Sequence, residues 1–493
     1  MIEESPSGWL PRILSLDLRS LAALRIGLGL FTTGEILHRM VDVRAFYTDE
    51  GVLPRSAVSG EFANYWALSL NMVSGAIWWQ VLLFLICAVA GLALAAGYRT
   101  WTANLVCWIL MLSIHNRNDV NVDGCDMVHR LILFWSLFLP LGAIWSVDAF
   151  RRGATIPARQ WVFNPASAAL NLQMASIFFF AALIKTGAPW RKDFTAIWYV
   201  LNWEVFVTPI GIWLRQFHDL LRALTIGTMI VEGVFPLLLL VPWAPLRVFA
   251  LVSFMSLHVG FVVTMKLFMF GSIMILGWLS LMPGWLWNKL GVGCEWTEVW
   301  RARFGRLSAW LPDSGRPGFS LIDRWPAGSQ RFILLCLIFV FCWNVRSVFP
   351  PLVRVFPTAI NPFALILRLD QHWLMFAPTP ISEDGWYVVP GRLASGSIVD
   401  VYRDGAPLSW ARPDRIADHY INRRWRIYLW GITRVDRPAY RKYYAAYLCR
   451  QWEAHHEQVL EGFDIVLMHQ KTNADYTVSP PVRLVLFEGY KCH

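Results

Sequence analysis

Charge is scarce in this chain: 16% of its side chains are Asp, Glu, Lys or Arg, against roughly 25% in soluble proteins. With 56% hydrophobic and 15% aromatic residues and a mean hydropathy of +0.43, the shortage excludes an ordinary soluble domain and points to a membrane. Closely spaced cysteines are also missing. The eight present are scattered singly, without CxxC or metal-type spacing, so they dictate neither zinc nor a disulfide framework, and pairing of Cys449 with Cys492 stays open. A secretory leader is lacking too: "MIEESPSGWLPRILSLDLRS" is acidic and then amphipathic, so the first span is expected to direct insertion. No internal repeat, low-complexity tract or pair of broken helices is present, which leaves a transporter without support. The excess of 44 Lys plus Arg over 34 Asp plus Glu gives +10. Loops that stay in the cytoplasm collect such residues, and no nucleic-acid partner is expected.

Several windows reach the roughly 20 apolar residues that cross a hydrocarbon core. The expected spans are about 18–38, 77–97, 101–115, 127–147, 166–185, 220–241, 246–265, 267–283 and 332–347. The fold class read from them is an all-α polytopic membrane bundle of about eight or nine transmembrane helices, with a small C-terminal α+β domain outside the membrane. The division is 1–285 bundle, 286–331 basic cytoplasmic connection, 332–347 final span and 348–493 extracytoplasmic domain. Basic loops, "DAFRRGATIPARQ" and the connection with Arg301, Arg303, Arg306, Arg316 and Arg331, belong inside. That puts the N-terminus in the cytoplasm and Lys185, the loop 116–126 and the C-terminal domain outside. Asn164 followed by Pro165 marks a helix start. Arg25 and Glu35 lie within the first span and are expected to face protein, paired with other helices.

Beyond 348, "GWYVVPGRLASGSIVDVYRDGAPL" reads as two strands with Gly-rich turns, "RPAYRKYYAAYLCRQWEAHHEQVL" as a helix, and "FDIVLMHQ" and "PVRLVLFEGY" as strands. In "LDQHWLMFAPTP", Trp373 and Phe376 are read as interfacial anchors.

The loop "HNRNDVNVDGCDMVHR" begins like a calcium loop at Asp119, Asn121, Asp123 and Gly124, but its twelfth position is Arg130 rather than a bidentate Glu. No metal is therefore expected. His115, Arg117, Asp126, His129 and Arg130 remain as an ionisable cluster, with pairing inside a bundle as the plain alternative. His258 falls inside a span. In "FFFAALIKTGAPW" Lys185 ends an apolar run. Its ammonium either snorkels to the headgroups or, lodged in the bundle, loses its proton and becomes a base.

Together "ALRIGLGLFTTGEILHRMVDVRAFYTDEGVLP", "HNRNDVNVDGCD", "LFLPLGAIWSVDAFRR" and "FFFAALIKTGAPW", in that order over about residues 15 to 285, resemble the horizontally transferred transmembrane (HTTM) family, which includes the vitamin K-dependent gamma-glutamyl carboxylase. The resemblance implies a bundle acting on reduced vitamin K or another lipid hydroquinone with O2, and with CO2 if an acceptor is carboxylated. It implies Lys185 as base with Trp190 beside it, and His258 and, in an ambiguous register, His129 as catalytic polar groups; of the loop cluster, His115, Arg117 and Asp126 are expected to line the quinone site with Trp190. The chain departs from the carboxylase in having Ile184 beside Lys185 where that enzyme has two lysines, and in a shorter exterior. Membrane lipid, a quinone reductase and a secreted peptide substrate are the implied partners, and the bacterial inner membrane is the implied location. The alternative is a non-catalytic membrane maturation or export factor for a secreted peptide.

Overall fold

The computed structural model describes residues 7–151, 159–293, 326–349, 360–434 and 437–492. The principal helices are α1 (Leu18–Met40), α2 (Ile77–Ala96), α3 (Thr100–Arg117), α4 (Gly124–Ser136), α5 (Pro165–Ile184), α6 (His218–Leu238), α7 (Ala244–Thr264), α8 (Phe268–Leu279), α9 (Ala327–Val348), α10 (Arg423–Thr433) and α11 (Pro438–His455). Six of them, α1, α2, α5, α6, α7 and α9, are long and apolar enough to cross a membrane, since about 20 residues at 1.5 Å each span the ~30 Å core.

Among the described residues six helices meet that length and composition, so the expected count of eight or nine is not confirmed. The run expected at 127–147 is helical only to Ser136, because Leu139 precedes Pro140, and a residue before proline is pushed out of the helical region. Its 13 residues rise only about 20 Å. α8 has 12 residues and is shorter still. α3 has full length but buries Asn104, Ser113, His115, Asn116 and Arg117, so it turns a polar face into the bundle while Trp101 and Ile109 stay exposed. The cations Arg301, Arg303, Arg306 and Arg316, and residues 152–158 of the other basic loop, lie outside the described residues.

Local chemistry sets the helix starts. Asp17 caps α1 by accepting from Arg19 N at 2.8 Å. Asn164 accepts from Ser167 N, and Ser167 Oγ accepts from Asn164 N, with Pro165 in the first turn of α5. α1 packs along α2. At their crossing a Cβ on Gly29 would lie 2.4 Å from Ala95 N and Gly91 O, so the backbones touch where small residues permit it. Arg25 is buried and donates to the carbonyls of Leu141, Ile144 and Trp145, while Glu35 takes charged partners.

The C-terminal region holds an antiparallel sheet of β1 (Glu383–Val388), β2 (Pro390–Leu393), β3 (Ile398–Asp400), β4 (Ala406–Pro407), β5 (Leu460–Lys471) and β6 (Val482–Lys491), ordered β1-β5-β2-β3-β4 with β6 also on β5. The stretch read as two strands is broken into four short ones. β5 carries β1 opposite Val466–Lys471, β2 opposite Leu460–Phe463 and β6 along Gly462–His469. A disulfide joins Cys449 on α11 to Cys492 just after β6, closing a loop 43 residues long in sequence separation.

The segment 368–378 threads back among the bundle helices. Arg130 donates to the carbonyls of Arg368 and Asp370, Gln173 to Gln371 Oε1 at 2.8 Å, and Trp190 Nε1 to Phe376 O at 2.8 Å. Trp373, 1% exposed, donates to Gln371 Oε1, and Phe376 meets the edge of Trp203. Trp373 thus packs within protein, its indole N–H on a protein acceptor, while Phe376 is half-buried against Trp203, so neither stands free as an interfacial anchor.

Candidate functional site

Lys185 follows the last residue of α5, and its own carbonyl accepts from Arg191 Nε at 2.8 Å while Arg191 Nη2 reaches Ala182 O. A cation closing the C-terminal carbonyls suits the helix dipole. The Lys185 side chain is 1% exposed. It does not snorkel: its Nζ forms an ion pair with Glu232 of α6 and lies 5.1 Å from the centroid of the Trp190 ring. Burying an isolated ammonium costs far more than one interaction returns, so the carboxylate is what makes this placement tolerable. The pair also holds one exchangeable proton between two bases inside the bundle.

His258 is fully buried on α7. Its Nδ1 contacts Phe254 O at 2.6 Å, and because a carbonyl only accepts, Nδ1 carries the hydrogen. Nε2 is then a bare acceptor, without a partner among the described residues, in a surround of Phe178, Phe261 and Phe270. Phe178 lies on α5 seven residues before Lys185, about 10 Å along the helix. Lys185 with Trp190, and His258 with its phenylalanines, are two adjoining places along α5 rather than one contact set.

The third place is a buried charge network. Asp126 accepts from Arg39 Nη2 at 2.6 Å and from both Nη atoms of Arg424 at 2.7 and 2.9 Å. Glu35 pairs with Arg39, Arg423 and Arg424, Asp123 pairs with Arg423 at 2.7 Å, and Arg39 also donates to Tyr47 Oη. Three carboxylates meet three guanidiniums, so the cluster is neutral as drawn from α1, α4 and α10. His115 Nε2 lies 3.5 Å from Asp126 Oδ1 and neither ring nitrogen makes a hydrogen bond among the described residues. Asp123 caps α4 by accepting from Cys125 and Asp126 N, and Asp119 accepts from Tyr440 Oη. The carboxylates of the calcium-like loop therefore serve as caps and protein partners. Arg117 points elsewhere, donating to Thr48 O at 3.2 Å. His129 Nε2 contacts Thr32 Oγ1 at 2.8 Å.

The expected site residues thus separate into Lys185 with Trp190, His115 with Asp126, and His258, His129 and Arg117 each in separate surroundings. Residue-level reading missed Glu232, although a lone carboxylate in "TIGTMIVEGVFPLLLL" was the available signal. It also missed Arg39, whose pairing with Glu35 is an (i, i+4) contact within α1 but whose partner Asp126 is 87 residues distant, and Arg423 and Arg424, whose carboxylate partners are 298 to 389 residues distant.

Fold and site define a helical, membrane-embedded protein with ion pairs buried in its bundle and a sheet-containing C-terminal region. No family model, curated protein or solved structure matches the chain.

Proposed function

We propose that the chain is a membrane enzyme acting on a lipid hydroquinone, with Lys185 as the group that takes a proton from it. The observation that carries this reading is the Lys185–Glu232 pair, buried in the bundle. Ionisable side chains at membrane depth mark proton pathways and substrate sites by default. Glu232 keeps Lys185 in place and accepts or returns its proton. Trp190 offers the ring face over it. The bare Nε2 of His258 among Phe178, Phe261 and Phe270 fits an aromatic molecule that brings a hydroxyl. When bound, a hydroquinone would supply phenolic protons and electrons for reaction with O2, with CO2 consumed if an acceptor is carboxylated. Resemblance to the HTTM family supports the same choice. The Cys449–Cys492 disulfide supports a C-terminal region in an oxidising compartment outside the membrane.

One observation favours the non-catalytic maturation factor: Glu232 already satisfies Lys185, and Trp190 and Gly187 hold the 376–378 segment. The two readings separate in nanodiscs supplied with reduced vitamin K and O2, epoxide being measured by chromatography. Lys185→Met alone strands a buried carboxylate and is expected to cost about 3–5 kcal/mol. The double variant Lys185→Met with Glu232→Gln removes both charges, and it is expected to recover most of that stability while losing at least about 100-fold in turnover. Absence of epoxide from the unaltered protein with reduced vitamin K, menaquinol and ubiquinol alike would select the maturation factor.

A further inference from the structure

A groove of about 430 Å³ runs between α1 and α8, lined by Leu30, Phe31 and Gly34 of α1 and by Phe268, Ser272 and Leu276 of α8. Leu30 and Phe268 are 55% and 65% exposed, so its mouth opens sideways on the apolar outer surface of the bundle, at mid-length of α1. Its size falls within the roughly 300–1,000 Å³ of small-molecule sites.

Behind it lies a polar group without a partner. Phe31, in the groove wall, meets the His129 ring edge to face at 5.0 Å. The hydrogen-bond chain fixes the tautomer of that imidazole. Thr32 has one hydroxyl proton, given to Leu28 O at 2.8 Å. Its oxygen therefore accepts from His129 Nε2, Nε2 carries the hydrogen, and Nδ1 is an acceptor. Nδ1 is buried and no donor reaches it among the described residues. An acceptor left so costs about 1–3 kcal/mol, which a hydrogen-bond donor arriving through the groove would offset.

We infer that this groove is a lateral binding site for an isoprenoid lipid with a hydroxyl head, the chain lying against Leu30, Phe268 and Leu276, Phe31 swinging aside, and the hydroxyl donating to His129 Nδ1. Phosphatidylcholine has the tails but no head of this kind, since its phosphate only accepts and its quaternary ammonium has no N–H to donate. The inference rests on the lipid-hydroquinone reading only in choosing an isoprenoid tail; occupancy is read without turnover, so each fails separately.

The test uses the full chain in phosphatidylcholine nanodiscs and a diazirine-bearing farnesol, with labelled positions mapped by mass spectrometry. Labels are expected at Leu30, Phe31, Phe268 and Met269. The methyl ether of the same probe, which cannot donate, is expected to label them at least about fivefold less, and His129→Leu is expected to abolish the difference between alcohol and ether. Gly34→Leu fills the mouth, and a Cβ at Gly34 meets nothing within 4 Å, so this variant is expected to fold and to lower labelling at least about fivefold. Ser272→Leu on the facing wall is the second block, should the first not accumulate. Equal labelling by alcohol, ether and a diazirine-bearing phosphatidylcholine, or labels spread over outward residues such as Leu85 and Val259 and insensitive to both blocks, would overturn the inference.

Discussion

Asp384 shows what a single buried carboxyl does at the junction between the sheet and the preceding chain. It is 2% exposed and sits on β1, where its Oδ2 accepts from Glu204 N at 2.6 Å and its Oδ1 from Gly385 N. Burial, with the Glu204 carboxylate adding to it, pushes its carboxyl up to about 8 against the backbone donors that favour the anion. The folded chain therefore holds a proton on Asp384 that the unfolded chain, with an ordinary value near 4, releases. Between about pH 4 and pH 8 the native state binds more protons, so this group makes stability fall as pH rises, with the full penalty above about pH 8. Asp384→Asn keeps an acceptor without the charge. Thermal melts from pH 5 to 8.5 are expected to decline less steeply for the variant than for the unaltered protein; parallel curves would assign the pH dependence to other groups.

Residues of this kind explain what was legible in the sequence. Lys185 stood out because an ammonium after seven apolar residues has few places to go, but its partner lies on another helix 47 residues on. Asp126 and His115 were recognisable as a cluster because they share one loop and its flanks. Their neutralisation by Arg39 and Arg424 depends on tertiary packing, which spacing along the chain does not encode. Glu35 was rightly expected to pair within protein. The double arginine of "INRRWRIYLW" carried no periodic signal for α10, since two of its buried positions are arginines and a polar residue counts against a core face in any pattern.

Among the elements, the close approach of α1 and α2 is the most exacting. A methyl at Gly29 would press on the backbone of Ala95 and Gly91 at 2.4 Å, and backbone in a packed helix pair yields little. Gly34 stands five residues on, in open space. Gly29→Ala is expected to destabilise by about 1–3 kcal/mol through overpacking, and Gly34→Ala to stabilise by up to about 1 kcal/mol through helix propensity. Urea or thermal denaturation in mild detergent checks the pair, and similar effects at both positions would remove the packing argument. Long apolar helices were legible for the same reason that they cross membranes: length and composition suffice. α4 and α8 were over-read because apolar runs continue past their ends, through Pro140 in one case and Pro283 in the other, where backbone geometry rather than hydrophobicity decides the stop.

At the scale of the molecule, the bundle and the C-terminal region share one polar core. Arg424 donates to both Asp126 oxygens and pairs with Glu35, so the helix that carries it is a plug as much as a domain element. Arg424→Met is expected to cost about 3–5 kcal/mol, because it leaves buried carboxylates short of their counter-charge. Adding Asp126→Asn restores the balance and is expected to return a large part of that loss, a coupling that a double-mutant cycle measures. Additive losses would mean that Arg424 and Asp126 act independently.

The order in which these charges are made has a consequence for biogenesis. Asp126 precedes Arg424 by 298 residues and Glu35 precedes it by 389, an interval of roughly 15–60 s for the shorter gap at typical elongation rates. Throughout that interval the nascent helices hold three carboxylates of this network, Glu35, Asp123 and Asp126, with Arg39 alone of its guanidiniums to balance them. A chain cut short before α10 is therefore left with this negative charge uncompensated in the space the helix would otherwise fill.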